Sequence, residues 1–338
     1  MFNRVELRSL LRFPLTLTAL AAAGTIMAFA APAQAQDKYP SRAIRLVVGF
    51  APGGPTDVQA RLLAIKLGPI LGQSVIVDNK PGASTTIAMS EVARAQADGY
   101  TLYFGGSGAY ATTPLTMPSL PYDSVKSFKP VAMVGEEQIA FAVNPAVPAQ
   151  NMSELASLIR ATPGKYAYGS SGQGNITHLT GELFKHRVGG LDLMHSAYKG
   201  AAPAVNDALA GHVGIVVGGL SSVYPLHQQK KLRVLAITSA KRVPYAPDIP
   251  TMGESGVKDL VATSTLVMLA PAGTPDSVVT ALSSAVNQAT SQAAYQQEMR
   301  NGYVEPVGTS TPSRTSELLA HETELWSSLV KAAKLKLD

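Results

Sequence analysis

Short apolar runs rich in β-branched residues alternate with longer stretches at helical spacing along most of this chain. The first run, Ile44, Leu46, Val47 and Val48, reads as a strand. It breaks at Pro52-Gly53-Gly54. Pro55 then suits the first position of a helix whose first turn holds Asp57 and whose body covers residues 58–67. Strands are predicted at 44–49, 74–77, 101–104, 139–143, 166–168, 191–194, 213–217, 232–238 and 265–269. Helices are predicted at 87–96, 151–160, 176–187 and 202–210; the third opens after Asn175, and the second has a capping-box spacing of Asn151 and Glu154. This alternation predicts an α/β protein with largely parallel sheets. Two longer helical runs follow, 275–300 and 312–334, each entered through a Thr and then a Pro. Leu318, Leu319, Leu325, Trp326, Leu329 and Val330 recur at helical spacing in the last, so Trp326, the single tryptophan, reads as a core anchor.

Residues 1–35 have the form of a secretory signal. Arg4, Arg8 and Arg12 precede a mostly apolar stretch, and Ala33-Gln34-Ala35 is a small-x-small site, which predicts cleavage after Ala35. The leader is too short and too soon interrupted for a membrane span. Without it the net charge of +5 falls to +3, because those three arginines stand against Glu6 alone. So small and scattered a charge predicts no nucleic-acid partner. The chain has 338 residues, 46% of them hydrophobic and 15% charged, which is a globular composition. It has no cysteine, so disulfides and thiolate chemistry are out, and an exported chain of this kind rests on an ordinary core.

Candidate chemistry sits at three glycine-rich turns. The turn at 49–57 runs strand, glycines, helix, a geometry that aims backbone N–H groups and a positive helix end at one point and attracts an anion. A plain strand-to-helix turn has the same composition. The second, Tyr168-Gly-Ser-Ser-Gly-Gln-Gly-Asn-Ile-Thr-His178, adds Ser170, Ser171 and the cap Asn175 in the manner of an anion nest. The third holds Tyr198-Lys199-Gly200, where Lys199 reads more readily as a solvated turn residue than as an anion ligand. Catalytic patterns are poor. Neither Gly169-Ser-Ser-Gly-Gln173 nor Gly105-Gly-Ser-Gly-Ala109 has the spacing of a nucleophile elbow. A Ser171–His178 pair has no evident carboxylate to orient it. The six histidines form no metal-binding pair, and dinucleotide and phosphate-loop fingerprints are incomplete, so neither cofactor nor metal is predicted. An exported α/β chain with anion-suited turns and no chemical machinery reads as a binding protein whose two lobes close on a small carboxylate.

Several motifs together resemble one family. They are Tyr39-Pro-Ser-Arg-Ala-Ile-Arg-Leu-Val-Val-Gly-Phe-Ala-Pro-Gly-Gly-Pro-Thr-Asp57, Val77-Asp-Asn-Lys-Pro-Gly-Ala83, Ala97-Asp-Gly-Tyr-Thr-Leu102, the glycine loop from Gly169 to His178, Tyr198-Lys-Gly-Ala-Ala-Pro203, and Leu232-Arg-Val-Leu-Ala-Ile-Thr238 running into Asp248-Ile-Pro-Thr-Met-Gly-Glu-Ser-Gly256. Over essentially the whole mature chain the sequence resembles the Bug-family periplasmic solute-binding proteins of tripartite tricarboxylate transporters. The resemblance implies a type II, Venus-flytrap periplasmic-binding-protein fold with two crossovers between lobes. Lobe one maps to 37–141 with 264–338, and lobe two to 142–263. It implies a monomer in the periplasm that gives a small organic carboxylate, aromatic or dicarboxylic, to the transporter's membrane subunits.

The resemblance also implies where the ligand sits. Phe50, Pro52, Gly53, Gly54, Thr56 and Asp57 belong to the gripping turn on lobe one, with Ser107 beside it. Ser170, Ser171, Gly174, Thr177 and His178 close from the other lobe, with Tyr198 and Gly219. Asp57 reads equally as a helix-dipole partner or as a group ordering a water. Two departures stand out. Relatives commonly carry an acid or amide near Gly218 or Gly219, and its loss in Val216-Val-Gly-Gly-Leu220 is expected to open volume for a bulkier acid. After Ala83 the loop has Ser-Thr-Thr where more glycine is usual. Two other functions fit the same chain, a periplasmic sensor for a membrane kinase and, from another class, an exported serine hydrolase using Ser171 and His178.

Overall fold

The computed structural model describes residues 39–117 and 119–332; the predicted leader and cleavage site lie outside the described residues. The first apolar run forms β1 (Ile44–Val48), buried except for Arg45. Strand β1 lies in parallel between β2 (Val75–Asn79) and β3 (Thr101–Gly106). A strand with neighbours on both edges and elements on both faces reads as a continuous apolar run, as this one does. Helix α1 (Pro55–Leu71) joins β1 to β2, and α2 (Thr86–Ala93) precedes β3. The short α3 (Gly108–Ala111) and α4 (Thr113–Thr116) follow β3.

The organising strand is β4 (Phe128–Val143), 16 residues long. Sequence analysis anticipated only its last five residues. Pro130, the Lys129 and Gly135 interruptions and the pair Glu136-Glu137 hide its first part. The register against β9 (Thr263–Pro271) slips at Pro130/Ala132 and at Met133/Gly135, where proline and glycine are accommodated as bulges. The end of β4 pairs with β7 (Ile215–Gly219) and β8 (Arg233–Ile237). One strand therefore belongs to two sheets, and the full order is β2-β1-β3-β9-β4-β7-β5-β6. Here β5 is Ala167–Ser170, β6 is Met194–Ala197, and β10 (Val304–Pro306) pairs with β4 off that path.

The expectation of largely parallel sheets is corrected. Parallel pairing is confined to β2-β1-β3 and to β7-β5-β6, while β9, β4, β8 and β10 join them antiparallel. Alternating strand and helix patterns report the parallel units, whose crossovers are helices. They do not report a strand that returns from far along the chain, because such a neighbour needs no helical crossover.

The remaining helices are α5 (Met152–Ala161), α6 (Ile176–Arg187), α7 (Ala201–Ala210), α8 (Leu220–Gln228), α9 (Asp276–Thr290), α10 (Ala293–Asn301) and α11 (Pro312–Ala332). Asn151 caps α5 through the Glu154 N–H at 2.9 Å, and Thr311 caps α11 through the Arg314 N–H at 3.1 Å. Thr274 does not cap α9; its hydroxyl donates to the Pro271 carbonyl instead. The run predicted at 275–300 breaks at Ser291-Gln292, next to Thr290, whose hydroxyl bonds the Asn287 and Gly308 carbonyls. Helix α11 serves two cores. Leu319 packs with Val47, Met89 and Phe128, whereas Trp326 packs with Phe141, Phe184 and Ile159. No described helix is long and apolar enough to cross a membrane.

Candidate functional site

The turn between β1 and α1 is built on a buried carboxylate. Gly53 takes φ +79°, a conformation glycine adopts without penalty. Its N–H donates to Asp57 Oδ2 at 2.9 Å, and Arg61 Nε donates to the same oxygen at 2.9 Å. Asn79 Nδ2 donates to Asp57 Oδ1 at 2.9 Å and to the Phe50 carbonyl at 3.0 Å. Burial pushes the Asp57 carboxyl up, but the bonds from Arg61, Gly53 and Asn79 outweigh it and hold it below the usual carboxylate range. Asp57 is 2% exposed and faces back under the turn. The Gly53 N–H is thereby consumed. Pro55 has no N–H, so the Thr56 and Asp57 amides are the first-turn donors left without a helical acceptor.

The second glycine loop is fastened from inside. Asn175 caps α6 through the Thr177 N–H at 3.2 Å, and the Ser171 N–H donates to Thr177 Oγ1 at 3.0 Å. The Gly174 N–H donates to His178 Nδ1 at 3.0 Å. The His178 ring stacks on His195 with centroids 3.9 Å apart, and His195 Nε2 lies 2.7 Å from Ser170 Oγ. Burial, then the nearby Lys185 charge, lowers His178 to about 4; burial and the His178 neighbour lower His195 to about 3. From the first sheet's side, Ser84 Oγ donates to the Gln173 carbonyl at 2.6 Å and Thr112 Oγ1 to the Gly174 carbonyl at 3.1 Å. Ala83, Ser84 and Thr85 all take positive φ, at 44°, 51° and 75°. The loop that lacks the usual glycines thus holds three successive residues in a region side chains disfavour, next to the cleft.

These two loops and the third turn surround one cleft. Of the residues predicted to hold a ligand, Phe50, Gly54, Thr56, Ser171, Thr177 and Gly219 line it. The others stand around it. Pro52 and Gly53 are at the exposed tip of the first turn, and Asp57 is beneath. Ser107 is buried, accepting from the Thr265 N–H at 3.2 Å. Ser170, Gly174 and His178 form the internal fastening just described. Tyr198 donates its hydroxyl to Asp207 Oδ2 at 2.6 Å. The Ser171–His178 dyad of the hydrolase reading does not form: His178 Nδ1 is taken by Gly174, and it is Ser170 that meets a histidine, His195.

Sequence reasoning missed four polar lining residues and discounted a fifth. Tyr103, Thr85, Glu137 and Ser264 line the cleft, and so does Lys199. Thr85 lies beside the Tyr103 hydroxyl, yet neither oxygen completes a hydrogen bond among the described residues. Both residues are buried. The expectation that Gly219 opens volume is corrected. A Cβ at Gly219 would overlap the Glu137 carboxylate, which occupies that space and accepts a hydrogen bond from Ser221 Oγ. The pair Glu136-Glu137 inside the apolar run of β4 was the available signal. Among the described residues no group of three or more acidic or histidine side chains could hold a metal ion.

Comparison with known proteins agrees with this architecture. Residues 59–335 match the family model described as tripartite tricarboxylate transporter family receptor. Protein BugT of Bordetella pertussis is 36% identical over 91% of this chain and 94% of its own length. The structure of the periplasmic binding protein BugD superposes with a TM-score of 0.83 at 33% identity, over 88% of this chain and 99% of that one. The structure of R. palustris Rpa4515 with adipate does so with a TM-score of 0.84 at 34% identity, over 88% of this chain and 98% of that one. The fold is the two-lobed periplasmic-binding-protein fold, and the chain belongs to the Bug family of tripartite tricarboxylate transporter receptors.

Proposed function

We propose that this chain captures a small organic carboxylate in the periplasm and passes it, unchanged, to the membrane subunits of a tripartite tricarboxylate transporter. The lobes that close on the ligand are 37–141 with 264–338, and 142–263. The carrying observation is the first turn. A buried, three-fold bonded Asp57 shapes it so that the start of α1, at Gly54 to Thr56, opens into a cleft faced by Ser171 and Thr177. Helix N-termini of this kind hold anions with main-chain donors. Lys199 adds a cation at the same cleft. A relative that binds adipate supports a carboxylate as the ligand class. The test is native mass spectrometry of protein purified from the periplasm, followed by calorimetric titration with the acid it carries. One bound acid, released on unfolding and rebound with saturation, is the expected result. A covalent adduct, a metal, or turnover of the guest would overturn the reading.

A further inference from the structure

Glu137 stands where β4 leaves the first sheet for the second. It pairs with Ser264 of β9 and Val304 of β10, while two residues on Ile139 already pairs with Gly219 of β7. Its side chain crosses above Gly219 to the start of α8. There the Ser221 hydroxyl donates to Oε1, and the Ser221 backbone N–H also supports the carboxylate. Ser221 is the one hydrogen-bonding neighbour that the described residues give it. The residue is half-buried and faces the same cleft as Thr56 and Ser171.

Gly219 belongs to this arrangement. Its backbone, at φ −62° and ψ 140°, is open to any residue, so conformation does not demand glycine. The Glu137 carboxyl, the far end of a flexible side chain, fills the space that a Cβ would take. The glycine is the socket in which the acid stands. Burial pushes the Glu137 carboxyl up, against the pull of the two Ser221 bonds. A carboxylate at the cleft wall that only Ser221 bonds is completed by a donor. A ligand hydroxyl or ammonium supplies one. A second ligand carboxylate does not, and it would set two anions together where repulsion is weakly screened.

We propose that Glu137 determines ligand choice: the cleft prefers a monocarboxylate bearing a hydroxyl or ammonium donor at its far end over the dicarboxylate of the same length. The proposal rests on the carboxylate-capture reading above, with the acid group at the α1 turn and the donor at Glu137.

The experiment is calorimetric titration of the leaderless protein with two matched series. One is hexanoate, 6-hydroxyhexanoate, 6-aminohexanoate and adipate; the other is butyrate, 4-hydroxybutyrate, 4-aminobutyrate and succinate. In at least one series the wild type binds a donor-bearing acid at least tenfold more tightly than the dicarboxylate. Glu137→Gln cuts the amino-acid-to-dicarboxylate ratio at least tenfold. Gly219→Ala, which displaces the same carboxyl without removing it, shifts the ratio in the same direction and serves if the first variant does not fold. A dicarboxylate preferred by the wild type, or a ratio unmoved in every folded variant, overturns the proposal while carboxylate capture stands. If none of the eight acids binds the wild type and the protein purified from the periplasm carries none, the capture reading falls and takes this proposal with it.

Discussion

His178→Asn should make the protein resist acid better than the wild type. The His178 ring is 3% exposed, its Nδ1 accepts the Gly174 N–H, and its face is covered by His195. Protonating Nδ1 breaks the bond to Gly174 and sets a charge against Lys185, which is why the ring is held at about 4 instead of the ordinary 6.5. The unfolded chain takes up this proton as the pH falls through 6.5, whereas the folded chain waits until about 4. Stability is therefore full above pH 6.5, is lost between 6.5 and 4, and changes no further from this group below that. Each tenfold difference in proton affinity is worth about 1.4 kcal/mol, so the loss at pH 4.5 is about 2.5 kcal/mol. That is a large share of the roughly 5–15 kcal/mol that stabilises a typical protein. Asparagine keeps an acceptor close to the Nδ1 position and cannot be protonated. Urea unfolding at pH 7.5 and 4.5 gives the measurement: the variant should lose about 2–3 kcal/mol less than the wild type between the two. Equal losses would show that the fastening of the second loop does not depend on a neutral His178.

Two further changes test the frame of the site. Asp57→Ala leaves the Gly53, Arg61 and Asn79 donors without their acceptor; since Gly53 and Arg61 can turn to water, the cost is about 2–3 kcal/mol by chemical denaturation, and carboxylate affinity should fall at least tenfold as the turn loses its shape. Trp326→Ala removes the buried anchor by which the end of α11, with Leu329 and Val330, enters the core of Phe141 and Phe184, and should cost about 3–5 kcal/mol in the same assay; an unchanged midpoint would mean that α11 does not tie the two cores together.

Local chemistry was the legible part. The strand-turn-helix at 44–67 could be read because β-branched residues, Pro-Gly-Gly and an acidic first turn each act within a few residues of one another. The caps Asn151, Asn175 and Thr311 were readable for the same reason. What escaped depended on distant partners. The first part of β4 is stabilised by β9, more than a hundred residues away, and its own composition, with Pro130, Gly135 and two glutamates, resembles a loop. Helix α8, with Pro225 inside it, forms where packing against the end of β4 outweighs local preference. The site shows the same division. The anion-suited turn was visible, but which of its N–H groups is already taken was not, because the taker, Asp57, is itself oriented by Asn79 from the next strand.

Two carboxyls, Asp57 buried and Glu137 half-buried, stand by a cleft read here as one for anions, and their different surroundings resolve the apparent conflict. Asp57 accepts from three groups and points away from the cleft, so its charge is spent within the turn and its pKa is held low. What it passes on is geometry: by holding Gly53 and Asn79 it fixes the start of α1, whose remaining N–H groups carry the positive end of the helix. Glu137 has only Ser221, and its pKa is pushed up. Its charge is not spent, and so it remains able to discriminate. On the reading proposed here, attraction and selection are thus assigned to opposite ends of the cleft. No large positive charge on the chain is needed on that reading, because the donors that attract the acid are chiefly main-chain groups.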